Sequence, residues 1–353
     1  MITVSIIFVI VVLLAYLDGR GMLKKGLEWS LILLVVFFSF RVNYGNDYLS
    51  YLNIYNLINK ASSFSSCDVD VEFGWKFINY YCSFLGFHFV LFLHLCVLVY
   101  SFYYVTKKYI PKEYYWLSVF ILCFNPSLFL LDLSMMRQSM AISFFILAIF
   151  TAYEKKNIQP ALFVVLAIMF HHTAIIIIPV VILVRFAPNI NTLYIILAGL
   201  VLFYLLWTNR NLLVEYTSYI MTLGDLSEEY GSYKEEGELG SGYGVFLQFL
   251  FLLPAVFYSK KLVSLDNKLI SLYLINFMFI PFSTIMVMLG RLSSYFLVYV
   301  VFLVPILLGK CKKNIIYYFT LLCVIVYCLY SYYAFFYSAT YGAAFSNYHS
   351  LLF

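Results

Sequence analysis

Charge is scarce in this chain. Only 11% of its 353 residues are Asp, Glu, Lys or Arg, while 64% are hydrophobic. A soluble domain carries about 25% charged residues, so that class is excluded. Paired cysteine motifs are missing as well. The seven cysteines, Cys67, Cys82, Cys96, Cys123, Cys311, Cys323 and Cys328, contain no CxxC and no metal-ligand spacing, and they read as small hydrophobes. With no metal cluster in the sequence, neither a metal nor another cofactor is expected. The first apolar run, from Ile2 to Tyr16, has no basic segment before it and no small-residue cleavage site after it. It is expected to be a retained first span and not a removed signal peptide. The net charge of +5 does not point to nucleic acid, because its distribution around the apolar runs carries the information. No internal repeat of the transporter kind is apparent.

What is abundant is apolar sequence, in repeated runs of 16–22 residues that give a mean hydropathy of +0.92. Runs of that length imply helices across a bilayer and exclude a barrel. The 34 tyrosines and 36 phenylalanines fit an aromatic belt at the headgroup level, and rings of this kind also stack on sugars. The expected fold is an all-α polytopic membrane protein, one transmembrane domain over 1–353. Its roughly twelve spans fall at 2–17, 27–42, 86–106, 113–131, 138–153, 158–171, 173–187, 191–207, 244–259, 268–288, 291–309 and 314–335.

Alternating these spans sorts the connecting segments into two sides. One side gathers Arg20, Lys24, Lys25, Lys107, Lys108, Lys112, Lys155, Lys156, Arg185, Lys260, Lys261, Lys268, Lys310, Lys312 and Lys313, which is 15 of the 22 basic residues. That side is cytoplasmic by the positive-inside rule, and the N-terminus is outside. The same rule requires the chain to turn at His171-His172-Thr173; one long helix over 158–187 would place Lys260, Lys261 and the 310–313 lysines outside. It also breaks 113–153 near 132–137, where Asn125-Pro126 already weakens a helix. The other side holds 12 of the 17 acidic residues and two loops, of about 30 residues at 43–75 and about 35 at 208–243. The second loop, rich in Gly and Glu, is a lid beside a site or a solvated connector. Residues 75–85 predict an interfacial amphipathic helix.

The polar residues that interrupt the apolar pattern converge on that acidic side. Arg137 is the most telling, set between two apolar runs in Asp132-Leu133-Ser134-Met135-Met136-Arg137-Gln138. A charge carried to the bilayer centre costs roughly 2.5–3.5 kcal/mol on insertion scales, so such a residue faces a wet cavity, an anion or a ligand. Arg41, Asp47, Glu72, His171 and Arg291 fall on the same side. Taken singly, each has a plain reading: an arginine snorkelling to headgroups, an aspartate capping a helix, a histidine in a turn. Together, three arginines at one depth with carboxylates and a histidine nearby point to a polyanionic headgroup with acid–base chemistry beside it. Arginine suits phosphate because its planar fork donates two parallel hydrogen bonds.

Five motifs carry a family resemblance. They are Arg41-x5-Asp47-Tyr48-x2-Tyr51, Glu72-Phe73-Gly74-Trp75, Met136-Arg137-Gln138-Ser139-Met140-Ala141, Phe170-His171-His172-Thr173-Ala174 and Gly290-Arg291-Leu292-Ser293-Ser294-Tyr295-Phe296. The chain resembles the EpsG family, Wzy-like polymerases of bacterial O-antigen, capsule and exopolysaccharide repeats, from about residue 35 to the C-terminus. The Arg-Gln-x-x-Ala and Phe-His-x-Thr-Ala pair, about 30 residues apart, is its most specific part. Glu72-Phe73 departs from the family, where Glu-Pro is frequent; the carboxylate is kept.

The resemblance implies a GT-C-like architecture and a substrate. Undecaprenyl-pyrophosphate-linked oligosaccharide would serve as donor and acceptor at the outer face of the bacterial cytoplasmic membrane, with undecaprenyl pyrophosphate as leaving group. A flippase and a chain-length regulator are the implied partners. Arg137 and Arg291, with Arg41 as a third, are expected to bind pyrophosphate, and Gln138 a phosphate or sugar. His171 is the first candidate base, since histidine exchanges protons near neutral pH. Asp47 and Glu72 are the alternatives, or grip sugar hydroxyls, and Tyr48 and Tyr51 would stack on the glycan. A flippase of lipid-linked oligosaccharide would need polar residues at both depths; a glycan ligase would share the donor chemistry.

Overall fold

The computed structural model describes residues 1–209, 212, 243–283 and 287–352. Most of the expected loop at 208–243 therefore lies outside the described residues. The described chain is helical nearly throughout, as expected of an all-α membrane protein. It forms two compact units, Met1–Ala187 with Cys328–Phe353, and Pro188–Tyr327.

The first unit runs α1 (Ile2–Gly19), α2 (Gly26–Ser39), β1 (Arg41–Val42), α3 (Tyr48–Asn59), α4 (Phe73–Tyr81), α5 (Phe87–Tyr109), α6 (Tyr115–Phe124), α7 (Phe129–Ser134), α8 (Met136–Tyr153), α9 (Gln159–Phe170) and α10 (Ile177–Phe186). The α1–α2 hairpin closes on Asp18, whose carboxylate accepts from Leu27 N at 3.0 Å and pairs with Lys112 at 2.8 Å. Gly26 is needed there, because a Cβ would fall 2.3 Å from the Leu14 carbonyl oxygen. Lys107 pairs with Glu28 at 2.9 Å and Lys108 with Glu154 at 2.6 Å. These contacts bring the start of α2 and the ends of α5 and α8 to one end of the bundle. The end of α2 and the starts of α5 and α8 lie at the other.

Both expected breaks occur. Asn125 ends α6 with ψ 100°, the extended form that a following proline enforces. The chain then makes the short α7 and restarts at Met136. His171 ends α9 with φ −158° and ψ 120°, and a 3-10 segment over His172–Ile176 leads into α10. The expected interfacial segment is α4. It buries Gly74, Trp75 and Asn79 and exposes Phe73, Phe77 and Tyr81, spaced one turn apart. The C-terminal segment returns to this unit. α18 (Gly342–Ser346) precedes β2 (His349–Ser350), which pairs antiparallel with β1, and Tyr348 stacks on Phe37 at 4.3 Å.

The second unit contains α11 (Thr192–Thr208), α12 (Tyr243–Leu250), α13 (Leu253–Phe257), α14 (Ser264–Ser283), α15 (Val287–Leu297) and α16 (Val300–Lys310), and α17 (Ile315–Phe336) begins in it. Phe249 stacks on Phe277 at 4.0 Å, and Phe203 packs against both. Lys310 pairs with the buried Asp266.

Among the described residues, five helical segments are long and apolar enough to cross a membrane: Ile2–Gly19, Phe87–Tyr109, Met136–Tyr153, Arg291–Lys310 and Ile315–Phe336. Shorter apolar helices among the described residues include Gly26–Ser39, Gln159–Phe170 and Thr192–Thr208, and the 20-residue α14 covers much of the span expected at 268–288.

Candidate active site

Three chemistry-bearing side chains meet on one carboxylate. Glu72 stands at the N-cap position of α4 and is 5% exposed. One carboxylate oxygen, Oε2, accepts from Arg137 Nη1, at the first turn of α8. The other, Oε1, lies 2.7 Å from His171 Nδ1, at the end of α9. The helices bring these groups together across sequence separations of 65 and 99 residues.

The local sequence explains the meeting. Gly74 lets α4 press against the end of α9; a Cβ there would sit 2.9 Å from the Met169 carbonyl oxygen and 3.2 Å from a Phe170 ring carbon. Trp75 is fully buried and packs edge-on to Tyr51 at 5.1 Å. The Tyr51 hydroxyl accepts from the backbone N–H of Arg137, at the long distance of 3.4 Å, so it helps cap α8 where its N–H groups lack partners. Beneath lies an apolar cluster of Tyr48, Tyr55, Phe87, Met136, Met140 and Phe170. Gly74→Val should push α4 off α9 and part Glu72 from His171. The expected result is a thermal midpoint of the purified protein lowered by several degrees; an unchanged midpoint would refute the close-packing argument.

The charges on the site are set by these contacts. Burial alone would raise the Glu72 carboxyl, but the His171 hydrogen bond and the Arg137 charge outweigh it and pull it down to about 2. Glu72 is thus ionised and can only accept. The proton of the His171–Glu72 bond therefore sits on Nδ1, and Nε2 is the ring nitrogen not engaged by Glu72. Nε2 makes no bond among the described residues, and the ring is 22% exposed. Arg137 keeps donors in reserve: its side chain is 30% exposed, and its buried Nε has no partner in the structure. His172, the neighbour, is exposed.

The model of the EpsG family matches residues 29–350. The chain belongs to the EpsG family. No curated protein and no solved structure matches it. Membership places it among membrane proteins of polysaccharide biosynthesis, with a polymerase-like role.

The other expected site residues of this EpsG-family chain fall in different settings. Arg41 is fully buried. Its Nη1 donates to the Phe38 carbonyl at 2.9 Å and its Nη2 to Leu133 O at 3.1 Å, so it ties together the C-terminal ends of α2 and α7. Arg41 thus holds backbone in this structure, and its buried Nε has no hydrogen-bond partner. Tyr48 and Tyr51 are 4% and 6% exposed and pack inside the apolar cluster, so neither ring is offered to a glycan as expected. Gln138 is buried on α8, and Asp47 is half-buried at the N-cap position of α3. Arg291 lies on α15 of the second unit and is exposed. Among the described residues, no group of three His, Cys, Asp or Glu is placed to hold a metal ion.

Two further polar contacts escaped the sequence reading. Asn46 N donates to Ser134 Oγ at 2.8 Å, fixing the turn before α3 against the turn before α8. His94 is fully buried on α5, with Nε2 3.0 Å from Ser139 Oγ on α8. An ionisable residue in the middle of an apolar run was the available signal for His94.

Proposed function

We propose that this chain is a Wzy-type glycosyltransferase. It joins oligosaccharide repeats carried on undecaprenyl pyrophosphate, at the outer face of the bacterial cytoplasmic membrane, on a GT-C-like scaffold. The observation that carries the reading is the single carboxylate of Glu72 held by both Arg137 and His171.

The transfer needs a base, a cation and an orienting group. An acceptor hydroxyl on the non-reducing sugar of a lipid-linked repeat attacks the anomeric carbon of the growing chain. Its proton goes to His171 Nε2, while the bond from that carbon to the pyrophosphate oxygen breaks. Glu72 holds the imidazole in the tautomer that can take the proton and stabilises the imidazolium that forms. Undecaprenyl pyrophosphate leaves with the bonding electron pair, and Arg137 meets the negative charge as it develops. Gln138 and Asp47 stay as sugar or phosphate contacts, and Arg291, from the Gly290-Arg291-Leu292 motif of the second unit, stays as a pyrophosphate ligand in its own right. Arg41, Tyr48 and Tyr51 act as support.

The one-sided placement of this chemistry supports transfer over flipping. The far end of the first unit's bundle carries Lys–carboxylate pairs instead. The test is polymerisation of purified lipid-linked repeats by the purified protein without divalent cations. A ladder of products is expected. Absence of any ladder from active membranes' own substrate, or a strict requirement for a divalent cation, would overturn the reading. Transfer onto a different lipid acceptor would mark a ligase.

A further inference from the structure

α4 carries Glu72 at its N-cap position, and its two faces differ. Gly74, Trp75 and Asn79 are buried against the bundle. Phe73, Phe77 and Tyr81 are exposed on the other side. These rings form a row: Phe77 lies 6.1 Å from Phe73 and 4.7 Å from Tyr81, centre to centre. Phe64, from the preceding loop, joins it 5.7 Å from Tyr81. The apolar surface continues past the helix end, where Phe84 and Leu85 are exposed as well. From Phe73 to Phe87 the one charged side chain is Lys76, and its ammonium turns back to the Cys67 carbonyl and the Phe64 ring.

Chain geometry sets the depth of this row. α5 begins at Phe87, and its 23 residues span about 34 Å, slightly more than the roughly 30 Å of a bilayer's hydrocarbon core. Lys107 and Lys108 mark one end of α5, so Phe87 stands at the opposite boundary of the core. Only the short turn over 82–86 separates it from α4. The row is thereby held at headgroup level, where aromatic rings are favoured. In water it would be a contiguous exposed apolar patch of a kind that soluble monomers rarely carry. A nine-residue helix is marginal by itself, so its lie is fixed by what it packs on. Gly74 against Met169 sets the distance on one side. The other side meets lipid.

We propose that the headgroup–acyl boundary of the bilayer is a structural partner of the site: α4 docks on it through Phe73, Phe77 and Tyr81, and this docking holds Glu72 between Arg137 and His171. The inference needs the geometry of the site and its membrane setting, and not the transfer reaction proposed above.

Two measurements on the full chain in nanodiscs test this, and neither needs polymer formation. Phe77→Trp adds a fluorophore to the row, and the difference from wild type reports its surroundings. Bromine on lipid acyl chains just below the headgroup is expected to quench the added tryptophan more than bromine near the chain ends or iodide in solution. Stronger quenching by iodide would mean water, by deep bromine span depth, and by none of the three a protein cover; each would overturn the docking. The second measurement is modification of Glu72 by a hydrophobic carbodiimide, which attacks protonated carboxyls, read by peptide mass spectrometry. Phe77→Ser with Tyr81→Ser should raise this modification by up to about 10²-fold, as the carboxyl leaves its partners and returns from about 2 toward its ordinary 4.5. Phe77→Trp with Tyr81→Trp, which keeps interfacial rings, should stay at the wild-type level. Where the serine pair does not fold, Phe77→Ser alone takes its place. Unchanged modification in the serine variant would leave α4 a plain anchor and overturn the coupling to Glu72. Equal rises in the serine and tryptophan pairs would mean general loosening and overturn it too. A wild-type protein that makes no polymer, with both measurements as expected, would sink the polymerase reading and leave this inference standing.

Discussion

Membranes carrying Arg137→Ala are expected to accumulate lipid-linked single repeats and to make no long polymer. Removing one preorganised donor from a developing anion lowers rates by about 10²–10³-fold, or about 2.7–4 kcal/mol. The substitution has a second effect that must be separated from the first. Glu72 is 5% exposed and Arg137 is one of its two partners. Breaking a buried pair by deleting one side destabilises by about 3–5 kcal/mol, because the remaining charge is left without compensation. The double variant Arg137→Ala with Glu72→Gln removes that stranded charge. It should recover the thermal stability of the purified protein without recovering polymer. Arg137→Lys keeps the charge but not the fork, and should fall between wild type and alanine. Normal ladders from Arg137→Ala membranes would sink the pyrophosphate assignment.

Much of the helical layout is legible in the sequence, because bilayer thickness sets the length of each apolar run and proline or paired histidine marks its end. Asn125-Pro126 and His171 interrupt the helices as their chemistry requires. Arg41 shows where such reading stops. On the sequence it looks like Arg137, an arginine at the edge of an apolar run. What separates them is the company each finds in space, two helix-end carbonyls for Arg41 and a carboxylate for Arg137. Tyr48 and Tyr51 mislead for a related reason. A tyrosine pattern is the same whether the rings face a glycan or pack on Trp75 and Phe87. The pairing of β1 with β2 joins two residues to two at opposite ends of the chain, too little periodicity to register in sequence. The Glu-x-Gly motif was visible, but not that its glycine lets one carboxylate bridge two helices.

His171→Ala should lower polymer formation by about 10²–10⁴-fold, the usual worth of a positioned proton acceptor. Glu72→Gln should cost less, roughly ten- to a hundredfold, the value of a charge-assisted hydrogen bond. Glu72 has its carboxyl lowered from 4.5 to about 2, so its charge is fully present above about 4.5 and is lost only as pH falls toward about 2. Across pH 5 to 8 it is therefore a constant charge, and wild-type polymer formation should not suffer from loss of this carboxylate until the pH drops below about 4.5. In Glu72→Gln the imidazolium that forms during transfer loses its counter-charge, so the maximum rate per folded protein falls. A structural role for Glu72 would lower the amount of folded protein and leave the rate per folded protein alone. The measurement is the rate of ladder formation against pH for the two variants and wild type. An undiminished rate per folded protein in Glu72→Gln, or an undiminished rate in His171→Ala, would take the base away from His171 and return the question to Asp47.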